Sequence, residues 1–138
     1  HGMKRGVAVA VRSARRAAIT ALLSGAAIAH AAIYTVTANP DMTFTPADIT
    51  IFAGDTIAFE NAGGVHNVRA DNDAFWCSIN CTTDRAPSAT LWRATVRFAH
   101  PGTFGYYCEA HGDLGGGMRG SITVIDRVFV DGFEEGPP

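Results

Sequence analysis

From Ile33 onward this chain is a succession of short β-branched and aromatic runs, each cut off by a turn former. Ile33-Tyr-Thr-Val-Thr-Ala38 ends at Asn39-Pro40-Asp41. Phe44-Thr-Pro46 leads into Asp48-Ile-Thr-Ile-Phe52, and Ala53-Gly54-Asp55 turns the chain into Thr56-Ile-Ala-Phe-Glu-Asn61. β-Branched and aromatic side chains suit a pleated, half-buried surface, whereas Gly, Pro, Asn and Asp supply turns. No segment from Ile33 on carries a convincing helical period. The reading is therefore an all-β antiparallel sandwich. The runs 48–52 and 56–61 form the clearest expected hairpin, and 65–69 a short strand. Leu91 to Phe98 alternates, with Arg93 and Arg97 on one face. Thr103 to Cys108 and Ser121 to Ile125 are the last expected strands, joined by a glycine loop. Between Asp71 and Thr90 lies a long polar stretch holding Phe75, Trp76, Cys77 and Cys81. A loop of that length usually carries something or contains a helical turn. Phe75 and Trp76 are read as core or loop-pinning residues.

The N-terminal residues follow another logic. Lys4, Arg5, Arg12, Arg15 and Arg16 occur there with no acid, followed by an apolar run from Ala17 and by Ala29-His30-Ala31. A basic start, a short apolar stretch and an A-x-A site make a secretory signal peptide. The run is too short and too alanine-rich for a spanning anchor. The expected organisation is a signal over 1–31, with His1-Gly2 a vector-derived remnant, one domain over 32–126, and a tail over 127–138. In the tail, Val128-Phe129-Val130 is expected to extend a sheet edge and the rest to be unfolded. The 138 residues suffice for one domain with a real core and not for two. A periplasmic or otherwise exported location follows, without stable membrane insertion after cleavage. All 13 acidic residues lie beyond residue 31 with six arginines, a net charge near −7. An acidic domain with no basic stripe argues against nucleic acid and is compatible with a basic redox partner.

Three cysteines in an oxidising compartment cannot all pair. Cys77 and Cys81 are close enough to close a small disulfide loop. The alternative, thiolate ligands of a binuclear copper site, needs a histidine four residues after the second cysteine, where Arg85 stands. Cys108 is then left over, and it sits in Cys108-Glu-Ala-His111-Gly-Asp-Leu-Gly-Gly-Gly-Met118, with His66 upstream in Gly-Gly-Val-His-Asn-Val. One thiolate, two imidazoles and a thioether are the donor set of a blue-copper electron-transfer site. The thiolate binds tightly, imidazole suits both oxidation states, and a soft thioether can sit long and weak on the axis. The candidate ligands are His66, Cys108, His111 and Met118. His100, before Pro101-Gly102, is read as a solvated turn residue.

Phe104-Gly-Tyr-Tyr-Cys108-Glu-Ala-His111 with Gly-Met118-Arg-Gly-Ser-Ile-Thr-Val124 resembles the last two strands of cupredoxins of the plastocyanin and pseudoazurin type. Phe44 to Asn61 resembles their first hairpin, and Gly63-Gly-Val-His66-Asn-Val68 the segment holding their first histidine. The resemblance spans roughly residues 33–125. It implies an eight-stranded Greek-key sandwich with one mononuclear type 1 copper near one end. It further implies that Asn67 hydrogen-bonds across to the cysteine-bearing loop, and that Tyr107 offers a second electron exit. One departure stands out. The plastocyanin pattern has four residues between the second histidine and the methionine, and here Gly112 to Gly117 make six.

The expected function is a soluble, exported one-electron carrier cycling between Cu(II) and Cu(I), a monomer that meets a transient redox protein beside His111 and Leu114. A copper enzyme of related fold needs a second centre with further histidines, and among His66, His100 and His111 two are already used. A copper-binding or delivery protein is the other alternative. It is disfavoured because a thiolate with two imidazoles releases metal poorly and no methionine cluster is present.

Overall fold

The structure, a computed structural model, describes residues 30–127, 129–130 and 133–134, so all but the last two residues of the expected signal peptide lie outside the described residues. The elements in chain order are β1 (Ile33–Ala38), β2 (Phe44–Thr45), β3 (Asp48–Phe52), β4 (Thr56–Asn61), β5 (Val68–Ala70), β6 (Trp76–Cys77), β7 (Arg93–Arg97), β8 (Gly102–Asp113), β9 (Gly116–Ile125), β10 (Phe129–Val130) and β11 (Phe133–Glu134). Two sheets form the sandwich, one ordered β2-β1-β4-β7 and the other β3-β9-β8-β5-β6. No helix among the described residues is long and apolar enough to cross a membrane.

Alternation decides what the inward faces of β1 and β9 bury. In β1, Val36 and Ala38 point inward, and in β9, Met118, Ile122 and Val124 do. Inward residues of the two sheets meet around Tyr106, which is fully buried with its ring edge-on to Phe44 and Phe59 at 4.9 and 5.5 Å. Its hydroxyl donates to the Ala47 carbonyl at 3.1 Å, so the one polar atom of this core ring is satisfied. Phe75 stacks on Phe59 at 5.6 Å, which makes it a core residue as expected.

The expected hairpin of 48–52 with 56–61 does not form. β3 pairs in parallel with β9, Asp48 opposite Ser121, while β4 pairs in parallel with β1 and antiparallel with β7. The turn at 53–55 instead carries the chain from one sheet to the other. Asp55 is the reason the crossing holds. Its fully buried carboxylate accepts from the Phe52 amide at 2.9 Å and from the Ala32 amide at 2.9 Å, and it pairs with the Arg127 guanidinium at 3.1 Å. One side chain thus ties together the turn, the start of the domain and its end.

Three smaller expectations are also corrected. The run expected as a strand over 65–69 begins at Val68, because His66 leaves the sheet to pair with Ser88 in an isolated bridge. The segment 71–90 holds the two-residue strand β6 and no helical turn. In the tail, β10 pairs with β11 rather than with the sandwich, so the Phe129–Val130 pair extends no sandwich edge and Phe133–Glu134 is folded. Asp131-Gly132 between them is a strong hairpin signal in sequence.

Candidate metal centre

His66 stands in the loop after β4, and that loop is built around Asn61. The Asn61 amide nitrogen donates to the carbonyls of Gly64, Ser88 and Thr90 at 2.9, 3.1 and 2.8 Å, and its oxygen accepts from the Gly63 amide at 3.0 Å. The His66 backbone is fixed on its other side. Its amide donates to Ser88 at 3.1 Å, and its carbonyl accepts from Ser88 at 3.0 Å and from the Trp92 indole at 3.0 Å. The imidazole that results is fully buried. Gly64 explains the glycine pair before it. With φ at +90° its backbone sits where only glycine is unstrained, and a Cβ there would lie 2.7 Å from the His66 Nε2.

Cys108 and His111 come from an interruption in the β8–β9 pairing. Tyr107 faces Arg119 and Gly112 faces Gly117, so the four residues 108–111 bulge opposite Met118 alone. A bulge bends the strand and re-aims side chains. Here it turns the Cys108 thiol inward, fully buried, and leaves His111 half-buried at the sandwich end. The expected glycine loop is instead a continuation of both strands. Gly112 pairs with Gly117 and Asp113 with Gly116, with Leu114 and Gly115 at the tip.

The two imidazoles and the thiol converge. Cys108 Sγ lies 3.8 Å from His66 Nδ1 and 3.7 Å from His111 Nδ1, and the donor atoms of all three residues lie within 4.8 Å of one another. The rings meet edge-on, their centroids 5.0 Å apart. A metal ~2.05 Å from each nitrogen and ~2.3 Å from the sulfur at trigonal angles would set N···S near ~3.8 Å. The donors are therefore spaced to hold one small ion of the copper class. Met118, the thioether expected as the fourth donor, is 3% exposed in the same core cluster as Cys108 and stands opposite the bulge.

Burial holds the His66 pKa below its ordinary 6.5, and the nearby His111 pushes the same way. The carbonyls of Asn39 and Gly63 act oppositely, although Nε2 meets no partner at hydrogen-bond geometry. The net direction keeps the ring neutral, with a lone pair to give a metal.

Around the ligands, the structure brings together what the sequence expected and adds more. Asn67, fully buried, accepts from the Glu109 amide at 2.8 Å, the cross-link to the cysteine-bearing segment that the resemblance implied. Cys77 and Cys81 form the disulfide. Tyr107 is half-buried with Arg119 5.9 Å from its ring, Leu114 is 65% exposed at the hairpin tip, and His100 is exposed. Asn61 and Glu109 were not singled out in the sequence. The available signals were a strand-ending asparagine just before Gly63-Gly64 and an acid inside the Cys-x-x-His motif.

The chain matches the family described as copper binding proteins, plastocyanin/azurin family, over residues 31–125. It is 36% identical over 114 residues to the chloroplastic plastocyanin of Oryza sativa subsp. indica, covering 78% of this chain and 70% of that protein. It is also 36% identical over 110 residues to the chloroplastic plastocyanin of Hordeum vulgare, covering 75% of this chain and 67% of that protein. The oxidised plastocyanin of Dryopteris crassirhizoma shares the fold, with a TM-score of 0.50 and 22% identity over 65% of this chain and 98% of that one.

Proposed function

The chain belongs to the copper-binding proteins of the plastocyanin/azurin family and is a type 1 copper electron-transfer protein, not an enzyme; from that premise we propose that it is an exported monomer that meets its redox partners at the His111 end. The observation that carries the reading is the pair of Nδ1 atoms 3.8 and 3.7 Å from one buried thiol. Copper bound by His66, Cys108, His111 and Met118 supplies a one-electron Cu(II)/Cu(I) couple.

What the chain's own residues contribute is a fixed cage. Asn61 locks the His66 loop, Asn67 locks the bulge, and two paired strands hold Met118 opposite it. Ligands that cannot relax keep the two oxidation states alike in geometry and the reorganisation on electron exchange small. His111 is the ligand nearest solvent. Val65 beside His66 and Leu114 beyond His111 are exposed apolar side chains, 46% and 65% accessible, suited to a small, transient contact. Tyr107, next to Cys108, gives a partner a second approach along β8. The basic start and the Ala29-His30-Ala31 site support export to a periplasm or an equivalent compartment.

The test is the visible absorption of the purified protein with Cu(II), before and after ascorbate. An intense blue band that bleaches on reduction is expected. A pale product, or a band that ascorbate leaves intact, would remove the electron-carrier reading and favour copper binding or delivery.

A further inference from the structure

We infer that Glu109 is a positioning residue for the metal ligands, and that the long 71–90 segment exists in part to brace it; the inference rests on the copper-site reading above. Glu109 follows Cys108 directly, and it is pinned twice. Its amide donates to the Asn67 oxygen at 2.8 Å. Its carboxylate Oε1 accepts from Asn67 Nδ2 at 2.8 Å and from the Trp76 indole at 2.9 Å, and Oε2 pairs with Arg69 at 3.0 Å. Asn67 is the residue after His66, so the neighbours of two ligands are tied to each other through Glu109.

The contacts close a ring. Asn67 Nδ2 also donates to the Arg85 carbonyl at 2.9 Å, and the Arg85 guanidinium lies 4.3 Å from the Trp76 ring centre. Arg69 covers the indole at 3.9 Å, and Trp76 opens the disulfide-closed turn Cys77–Cys81. Asn67, Glu109, Trp76 and Arg85 thus form one circuit, with Arg69 reinforcing the Glu109–Trp76 side.

An ordinary surface ion pair holds little in place, because water competes for both partners. Glu109 differs in that three donors from two segments converge on a carboxylate only 27% exposed, and charge-assisted bonds sharing an acceptor in a partly dry setting reinforce one another. Without that carboxylate the indole N–H loses its partner and Arg69 turns to Asp73, its other pair at 2.8 Å. Of the Glu109 contacts, only the bond from its amide to the Asn67 side-chain oxygen then remains to tie the bulge bearing Cys108 and His111 to the His66 segment.

The experiment compares wild type with Glu109→Ala, Glu109→Gln and Trp76→Phe in the full chain. The glutamine keeps Oε1 for Asn67 and Trp76 while removing the charge that faces Arg69. Three quantities are read: amide hydrogen exchange at Cys108–His111 in metal-free protein, Cu(II) affinity by chelator competition, and the energy of the visible band. Glu109→Ala is expected to speed exchange at those amides about tenfold, to weaken Cu(II) about 10- to 100-fold, and to shift the band. Trp76→Phe should reproduce part of this, and Glu109→Gln should restore most of it. The inference is overturned if Glu109→Ala lowers global stability but leaves those three readouts at wild-type values, or if Glu109→Gln is as damaging as Glu109→Ala. A wild type with no intense band would sink the copper reading itself, while exchange in the metal-free protein would still decide on the brace.

Discussion

Gly64→Ala is the substitution that most directly tests how the sequence presents His66. Two costs add. At φ +90° an alanine is strained by about 1–2 kcal/mol. The new Cβ would also lie 2.7 Å from His66 Nε2 and 3.3 Å from Cε1, so the ring must move by several tenths of an ångström in a fully buried site. Overpacking of that kind costs about 1–3 kcal/mol. The total is about 2–5 kcal/mol. Urea unfolding of the metal-free variant should show its midpoint lowered by about 1–2.5 M, taking a slope near 2 kcal/mol per molar. The functional half of the argument lies in the metal-bound protein. Movement of the ring takes Nδ1 off the Cys108 thiol, so copper should stabilise the variant less than wild type, by about 1.4 kcal/mol for each tenfold loss of affinity. If stability falls but the copper-induced gain is unchanged, the ring is not displaced and Gly64 serves only the turn. If neither changes, the steric account of the glycine pair is wrong.

Other perturbations separate the fold from the site. Asp55→Ala removes the acceptor of two amides and of Arg127, and should cost about 3–5 kcal/mol in urea unfolding; β4 spans about 20 Å between it and the His66 loop, so the blue band should not move, and a shifted band would show that the clasp reaches the metal end. Met118→Leu conserves volume and should change stability by less than about 1.5 kcal/mol while voltammetry shows an altered reduction potential; an unaltered potential would remove Met118 from the ligand set. Reducing the Cys77–Cys81 disulfide, which closes a five-residue loop, should lower stability by about 2 kcal/mol on the chain-entropy account, and no loss in urea midpoint would show that the turn is held without it.

Residue types that do one thing were the legible ones. A thiol left over from a disulfide, with two residues between it and a histidine, has few other uses, and the spacing of Cys108, His111 and His66 led directly to the centre that the structure assembles. β-Branched and aromatic composition likewise marked β1, β3 and β4, and alternation marked β7. Pairing was less legible. Ala53-Gly54-Asp55 has the composition of a hairpin turn, yet the Asp55 carboxylate binds donors from both ends of the domain, and those distant partners make the turn a crossing between sheets. Nothing local distinguishes the two outcomes. Asn61 and Glu109 were hidden for the opposite reason. A polar side chain near a strand end or in a loop reads as solvated until the structure shows how many donors and acceptors it satisfies.

The longer loop before Met118 shows how a departure from the family pattern can leave the site intact. The six intervening residues form two paired rungs, Gly112 with Gly117 and Asp113 with Gly116, beyond the bulge. Two added residues, one on each arm, lengthen the hairpin by one rung and leave everything below it in register. Met118 then stays on the inward face with Ile122 and Val124. An odd change cannot do this, because a one-residue slip sends every side chain of the arm to the opposite face. Removing Asp113 and Gly116 together should therefore preserve the blue band and the reduction potential, at the cost of the Asp113 side-chain bonds from Gly115 and Gly116 at 2.8 and 3.0 Å and of the Arg119 bond to the Asp113 carbonyl at 2.8 Å. Removing Gly116 alone should displace Met118 and shift both. Gly117 sharpens the contrast, since its φ of +84° and the 2.5 Å approach a Cβ would make to the His111 carbonyl mean that no residue with a side chain can replace it in a slipped register. Equal spectra and potentials from the paired and the single deletion would show that the fourth donor is set by the core around it and not by the register of the hairpin.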